Sequence, residues 1–113
     1  MTTVAGFVVC AAAGALARWW AIARGHRPFP LPTLLVNVSG AFALGCLAGA
    51  DVAGPVATVL GTGFLGAYTT FSSFTREVHA LATTGHRAEA TAYVAASIAA
   101  GALAAHAGLA LTS

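Results

Sequence analysis

Apolar residues run through this chain in four stretches long enough to cross a bilayer, and most of the charges fall in the gaps between them. A membrane-spanning helix takes about 17–25 predominantly apolar residues. Residues 4–23, 33–50, 56–82 and 88–111 each meet that length. Only 7% of the residues are charged, against about 25% in a soluble domain. The chain therefore reads as an all-α membrane protein, a single unit of four transmembrane helices. Its N-terminal stretch lacks the basic start of a signal peptide, because the first arginine follows the apolar run, so it reads as a retained helix.

The third stretch is not a plain membrane anchor. It carries Gly61, Gly63 and Gly66 and then Thr69, Thr70, Ser72 and Ser73 in its middle. Irregular backbone at membrane depth persists only where protein or a water-filled path satisfies its polar groups, and interrupted membrane helices commonly mark ion sites. The third helix is therefore expected to be broken near mid-membrane. Small residues also recur at helix-contact spacing, as in Gly45 and Gly49, Ala96 and Ala100, and Gly101 and Ala105. Such positions let helix backbones approach closely in lipid. Four short helices enclose little interior, so a path formed by one copy alone is not expected.

Several side chains are candidates for contact with an ion. Asn37 lies mid-span, and its amide either donates to an anion or ties helices together. Phe71 and Phe74, three apart, share a helix face; their electropositive ring edges suit a small anion, and the plainer alternative is ordinary packing. Tyr93 and Ser97 share a face of the fourth span as a track of hydroxyl donors, although a lone serine also bonds to its own helix. A break at Gly66–Thr69 frees carbonyls that suit a hard cation such as Na+, unless water or hydroxyls satisfy them. Arg18, near the end of the first span, either draws anions into a vestibule or snorkels to the interface.

Other classes are excluded by what is absent. The first, second and fourth spans have no central Asp or Glu, which argues against proton-coupled transport. No nucleophile–base pair suggests an enzyme. Cys10 and Cys46 read as small apolar side chains, His26, His79, His86 and His106 form no cluster, and a net charge of +2 does not suggest nucleic acid. A small multidrug exporter matches the size but needs a first-span Glu that is missing here. A non-conducting membrane assembly subunit is the remaining alternative.

Three motifs in order are similar to those of the Fluc (CrcB) family of fluoride channels. Gly14-Ala-Leu-Ala-Arg18 resembles the family's G-A-x-x-R. Thr33-Leu-Leu-Val-Asn37-Val-Ser-Gly40 resembles T-L-x-V-N-x-x-G. Gly63-Phe-Leu-Gly66-Ala-Tyr-Thr69-Thr70-Phe71-Ser72-Ser73-Phe74 resembles G-F-x-G-G-x-T-T-F-S-T-F. The resemblance implies a passive fluoride exporter in the cell membrane, built as an antiparallel dimer with two pores. It implies a structural Na+ at the dimer centre, held by the backbone carbonyls of Gly66 and Thr69. Phe71 and Phe74 would be the pore phenylalanines, Asn37 the polar pore residue, and Tyr93 and Ser97 the polar track. Ala67 stands where Gly is common, Ser73 where Thr is common, and Gly101 where the track often continues with a hydroxyl.

Arg24, Arg27 and Arg87 lie in the first and third loops, and Arg18 and Arg76 lean to the same side. The positive-inside rule puts those loops in the cytoplasm and both termini outside. The family's homodimers carry nearly balanced loop charge, whereas this chain is biased, so it is expected to insert one way and to pair with an oppositely biased homologue. Orientation-specific tagging should find one topology; comparable amounts of both would defeat this expectation.

Overall fold

The computed structural model describes residues 1–23 and 29–113. Arg24, His26, Arg27 and Pro28 of the first loop lie outside the described residues. The described residues are helical apart from short connections and contain no strand. Helix α1 is Thr2–Ala23 and α2 is Leu31–Gly49. Next come α3 at Gly54–Ala57, a π-helical stretch at Thr58–Leu65, and α4 at Gly66–Tyr68. Helix α5 is Phe71–Thr83 and α6 is Arg87–Thr112. Three of these, α1, α2 and α6, are individually long and apolar enough to cross a membrane. At about 1.5 Å per residue, the 26 residues of α6 reach about 39 Å.

Local chemistry sets the ends. Pro30 and Pro32 open α2, where a missing N–H costs nothing. The helix closes in a Schellman turn, with Asp51 N–H donating to Ala48 and Val52 N–H to Leu47 at 3.2 and 3.1 Å. Asp51 takes the left-handed position of that turn, with φ 54°. Gly85, at φ 85°, does the same after α5, and His86 N–H reaches back to the Leu81 carbonyl.

The helices pack as two same-direction pairs. α2 and α6 run side by side, with Gly45 against Ala105 and Gly49 against Leu109. On the facing helix, Gly108 sits against Phe42 and Cys46. α1 runs beside the π-helical stretch and α4, with Gly14 against the Phe64 carbonyl and the Tyr68 amide, and Gly63 against Phe7. In each pair main chain meets main chain, which is how apolar helices gain attraction where lipid gives them no hydrophobic drive. Gly45, Gly49 and Ala105 thus act as their spacing predicts. Gly101 does not, since a Cβ there would meet nothing within 4 Å. A small cluster of Leu81, Ala90 and Tyr93, flanked by Phe29, Leu34, Phe74 and Val78, joins α5 to α6 and the start of α2.

Gly108→Val should therefore be severely disruptive. Its Cβ would lie 2.8 Å from the Cys46 amide nitrogen, and overpacking costs about 1–3 kcal/mol even against movable side chains. Gly101→Ala, in open space, should be neutral or stabilising by about 0.5–1 kcal/mol. Thermal melting followed by size-exclusion chromatography separates the two.

Candidate functional site

Between Tyr68 and Phe71 the chain leaves helical geometry for two residues. Thr69 has φ −79° and ψ 161°, and Thr70 has φ −146° and ψ 122°. Asn37 of α2 meets this segment. Its Oδ1 accepts from the Thr70 N–H at 2.8 Å, and its Nδ2 donates to the Thr70 carbonyl at 3.0 Å. The donor–acceptor pattern fixes which way the amide points and leaves one of its two N–H groups uncommitted. Thr70 caps α5, its Oγ1 accepting from the Ser73 N–H at 3.1 Å.

These bonds alter the supply of donors to the carbonyls upstream. In a continuous helix the Thr70 N–H would close on the Gly66 carbonyl and the Ser73 N–H on the Thr69 carbonyl. Both N–H groups are engaged elsewhere, so both carbonyls lose their helical donors. Hard, neutral oxygens of this kind suit a hard cation such as Na+. Among the described residues no cluster of three His, Cys, Asp or Glu side chains offers an alternative metal site.

A cavity of about 470 Å³ opens beside the interruption. Asn37, Gly66, Thr69, Phe71, Phe74 and Ser97 all line it. The Phe71 and Phe74 rings touch, with centroids 6.0 Å apart, so their shared face is real. Phe71 is 77% exposed and stands at the open side of the cavity. Tyr93 does not line it but lies directly behind: its ring meets Phe74 edge-on at 5.1 Å and Phe29 at 5.6 Å. Tyr93 is completely buried. Among the described residues, the buried side-chain polar atoms without a hydrogen-bond partner are the Tyr93 hydroxyl and the Ser97 hydroxyl. Ser97 therefore does not bond back to its own helix, the plainer reading of that residue.

Arg18 stands apart from this cavity. It is half-buried on the α1 face that also bears Gly14 and Ile22, four residues to either side. Gly14 packs on α4, and Ile22 lines a second cavity of about 490 Å³ at the loop end of the helices. Thr33, Arg76, Glu77, His86 and Glu89 line that second cavity too. Within it the buried Thr33 hydroxyl donates to Glu77 Oε1 at 2.7 Å. Sequence reasoning missed this pair, and also the Ser39–Tyr68 hydroxyl contact at 2.9 Å. Both join residues on different spans, and no local pattern announces them. Thr70 as a cap was visible in principle, as a threonine at the head of an apolar-periodic run.

An all-helical, apolar bundle with three helices long enough to span a bilayer defines a multi-pass membrane protein. Residues 5–109 match the family model described as CrcB-like protein, Camphor Resistance (CrcB), and the chain belongs to that family. It is 44% identical over 88 residues to the fluoride-specific ion channel FluC 2 of Rhodococcus jostii, covering 78% of this chain and 77% of that protein. It is 46% identical over 88 residues to FluC 2 of Mycolicibacterium paratuberculosis, with 72% of each chain covered. With FluC 2 of Moorella thermoacetica the identity is 45% over 98 residues and 80% of each.

Unsatisfied buried hydroxyls cost about 1–3 kcal/mol each. Tyr93→Phe and Ser97→Ala should thus leave thermal stability unchanged or raised, whereas ordinary core truncations lower it. A melting curve of each variant checks this.

Proposed function

We propose that this chain is a subunit of a fluoride-specific channel through which fluoride leaves the cytoplasm passively. The observation that carries the reading is the cavity beside the interruption, which gathers the Asn37 amide, the Phe71 and Phe74 rings and the Ser97 hydroxyl on one wall. Membership of the family, and the activity named for its relatives, supply the ion.

Fluoride is small and strongly hydrated, so a pore must replace its water with donors. The free Asn37 N–H, the unpartnered Ser97 hydroxyl and the phenylalanine ring edges are such donors, with Tyr93 packed behind Phe74. The surrounding wall is largely apolar, which leaves these donors as the groups that replace fluoride's water. A negative-inside potential drives the anion outward, and no coupling residue is needed.

The interruption belongs at mid-membrane. Asn37 and Gly40 sit near the middle of α2, and Gly14, which packs on α4, sits near the middle of α1. The Gly66 and Thr69 carbonyls would hold Na+ there. An ion bound there would coordinate the freed oxygens and tie the interruption in place. Arg18, on the face between α4 and the second cavity, would draw anions towards the loop-end vestibule.

The open cavity and the exposed Phe71 ring support completion by a second subunit in antiparallel orientation. Arg76 and Arg87 lie at the same end of the molecule as the second cavity, and Asp51 is the charged side chain at the opposite end among the described residues. That asymmetry supports one-way insertion and an oppositely biased partner.

Purified chain in liposomes, alone and with such a homologue, tests the reading. Rapid fluoride efflux without chloride efflux is expected, reduced at least about tenfold by Phe71→Ala, a barrier raised by roughly 1.4 kcal/mol. Equal chloride flux, or silence under both conditions, would refute it.

A further inference from the structure

The interruption between α4 and α5 is made by side chains and not by a special backbone residue. Neither Thr69 nor Thr70 has a positive φ, and no glycine or proline lies between Tyr68 and Phe71. The helix stops because two N–H groups have been given other acceptors. Thr70 N–H goes to Asn37 Oδ1, and Ser73 N–H goes to Thr70 Oγ1. Each diversion frees one carbonyl: Asn37 frees Gly66, and Thr70 frees Thr69.

We infer that Asn37 and the Thr70 hydroxyl are positioning residues for the cation, acting through the N–H groups they capture and not by touching it. The inference rests on the reading that the Gly66 and Thr69 carbonyls face Na+. Asn37 is well held for the role. It grips both peptide groups of Thr70, and two residues on, Ser39 meets the Tyr68 hydroxyl at 2.9 Å, so α2 fixes the chain on each side of Thr69. Thr70 is 6% exposed, which shields its bonds from competition. Asn37 also lines the cavity proposed to conduct fluoride. One side chain therefore serves both ions, and a change in its hydrogen bonding is felt at each. Coupling of this sort is reciprocal and commonly amounts to about 5–150-fold in affinity.

The test is the Na+-dependent rise in melting temperature of the purified full-length chain, with K+ as control, since a ligand bound only by the folded state stabilises it by an amount that grows with the logarithm of its affinity. Wild type should respond to Na+. Thr70→Val and Asn37→Leu, which remove the acceptors of those N–H groups, should weaken apparent Na+ affinity by about tenfold or more. Thr70→Ser, which keeps an acceptor for the same N–H, should stay within about threefold of wild type. A merely structural role would lower the melting temperature equally with and without Na+. If Asn37→Leu does not fold, the Thr70→Val and Thr70→Ser pair decides. Undiminished Na+ affinity in Thr70→Val, or in a folded Asn37→Leu, overturns the inference and leaves the cation reading standing. A wild type that ignores Na+ overturns that reading and this inference with it.

Discussion

The paired hydrogen bonds between the Asn37 amide and the Thr70 peptide groups are the contact on which the rest of the site depends. An apolar environment makes this exchange decisive. A backbone N–H that leaves a helix in lipid has no water to turn to, and an orphaned group costs several kcal/mol. Asn37 supplies both a donor and an acceptor at the residue where the helix gives way. With those in place, α5 can restart under its own threonine cap, which aims Phe71 and Phe74 into the cavity.

That contact holds only if α2 keeps its height relative to the third segment, and glycine packing secures this. Gly40 sits against the Thr69 side chain, so α2 approaches the interruption closely one turn after Asn37. Gly45 and Gly49 lock α2 to α6, and Gly14 locks α1 to the segment just before the interruption. Tyr93 and Ser97 on α6 are thereby brought to the same depth as Phe74 and Asn37. The π-helical stretch at Thr58–Leu65 contains Phe64, whose carbonyl packs on Gly14 of α1, and such stretches are often found at functional sites.

Much of this was legible in the sequence, and the parts that were not share a cause. The apolar stretches declare the helices, the hydroxyl-rich middle of the third declares its irregularity, and the three-residue spacing of Phe71 and Phe74 declares their contact. The partner of Asn37 lies 33 residues away and that of Thr33 lies 44 away. Such pairings depend on the relative height of two helices, which periodicity along one helix does not encode. The same limit explains the glycines. Gly101 has the spacing of a contact residue and touches nothing, while Gly14 and Gly108 carry close approaches that their spacing did not single out. Nor could the isolation of the Ser97 hydroxyl be read locally, because a neighbouring carbonyl is always within reach along a helix.

The main-chain contacts of α2 with α6 bear on how such a chain can change over time. Where two helices meet through side chains, a large residue on one can be offset by a small residue on the other, and the pair drifts together. At Gly45, Gly49 and Gly108 a new Cβ would run into a carbonyl or an amide, for which no compensating substitution exists. Drift is thus channelled to the outward faces, among residues such as Leu35, Leu103 and Leu111 that are largely exposed. The spacing between helices, and with it the depth of every polar group in the cavity, is thus held by the positions least free to change.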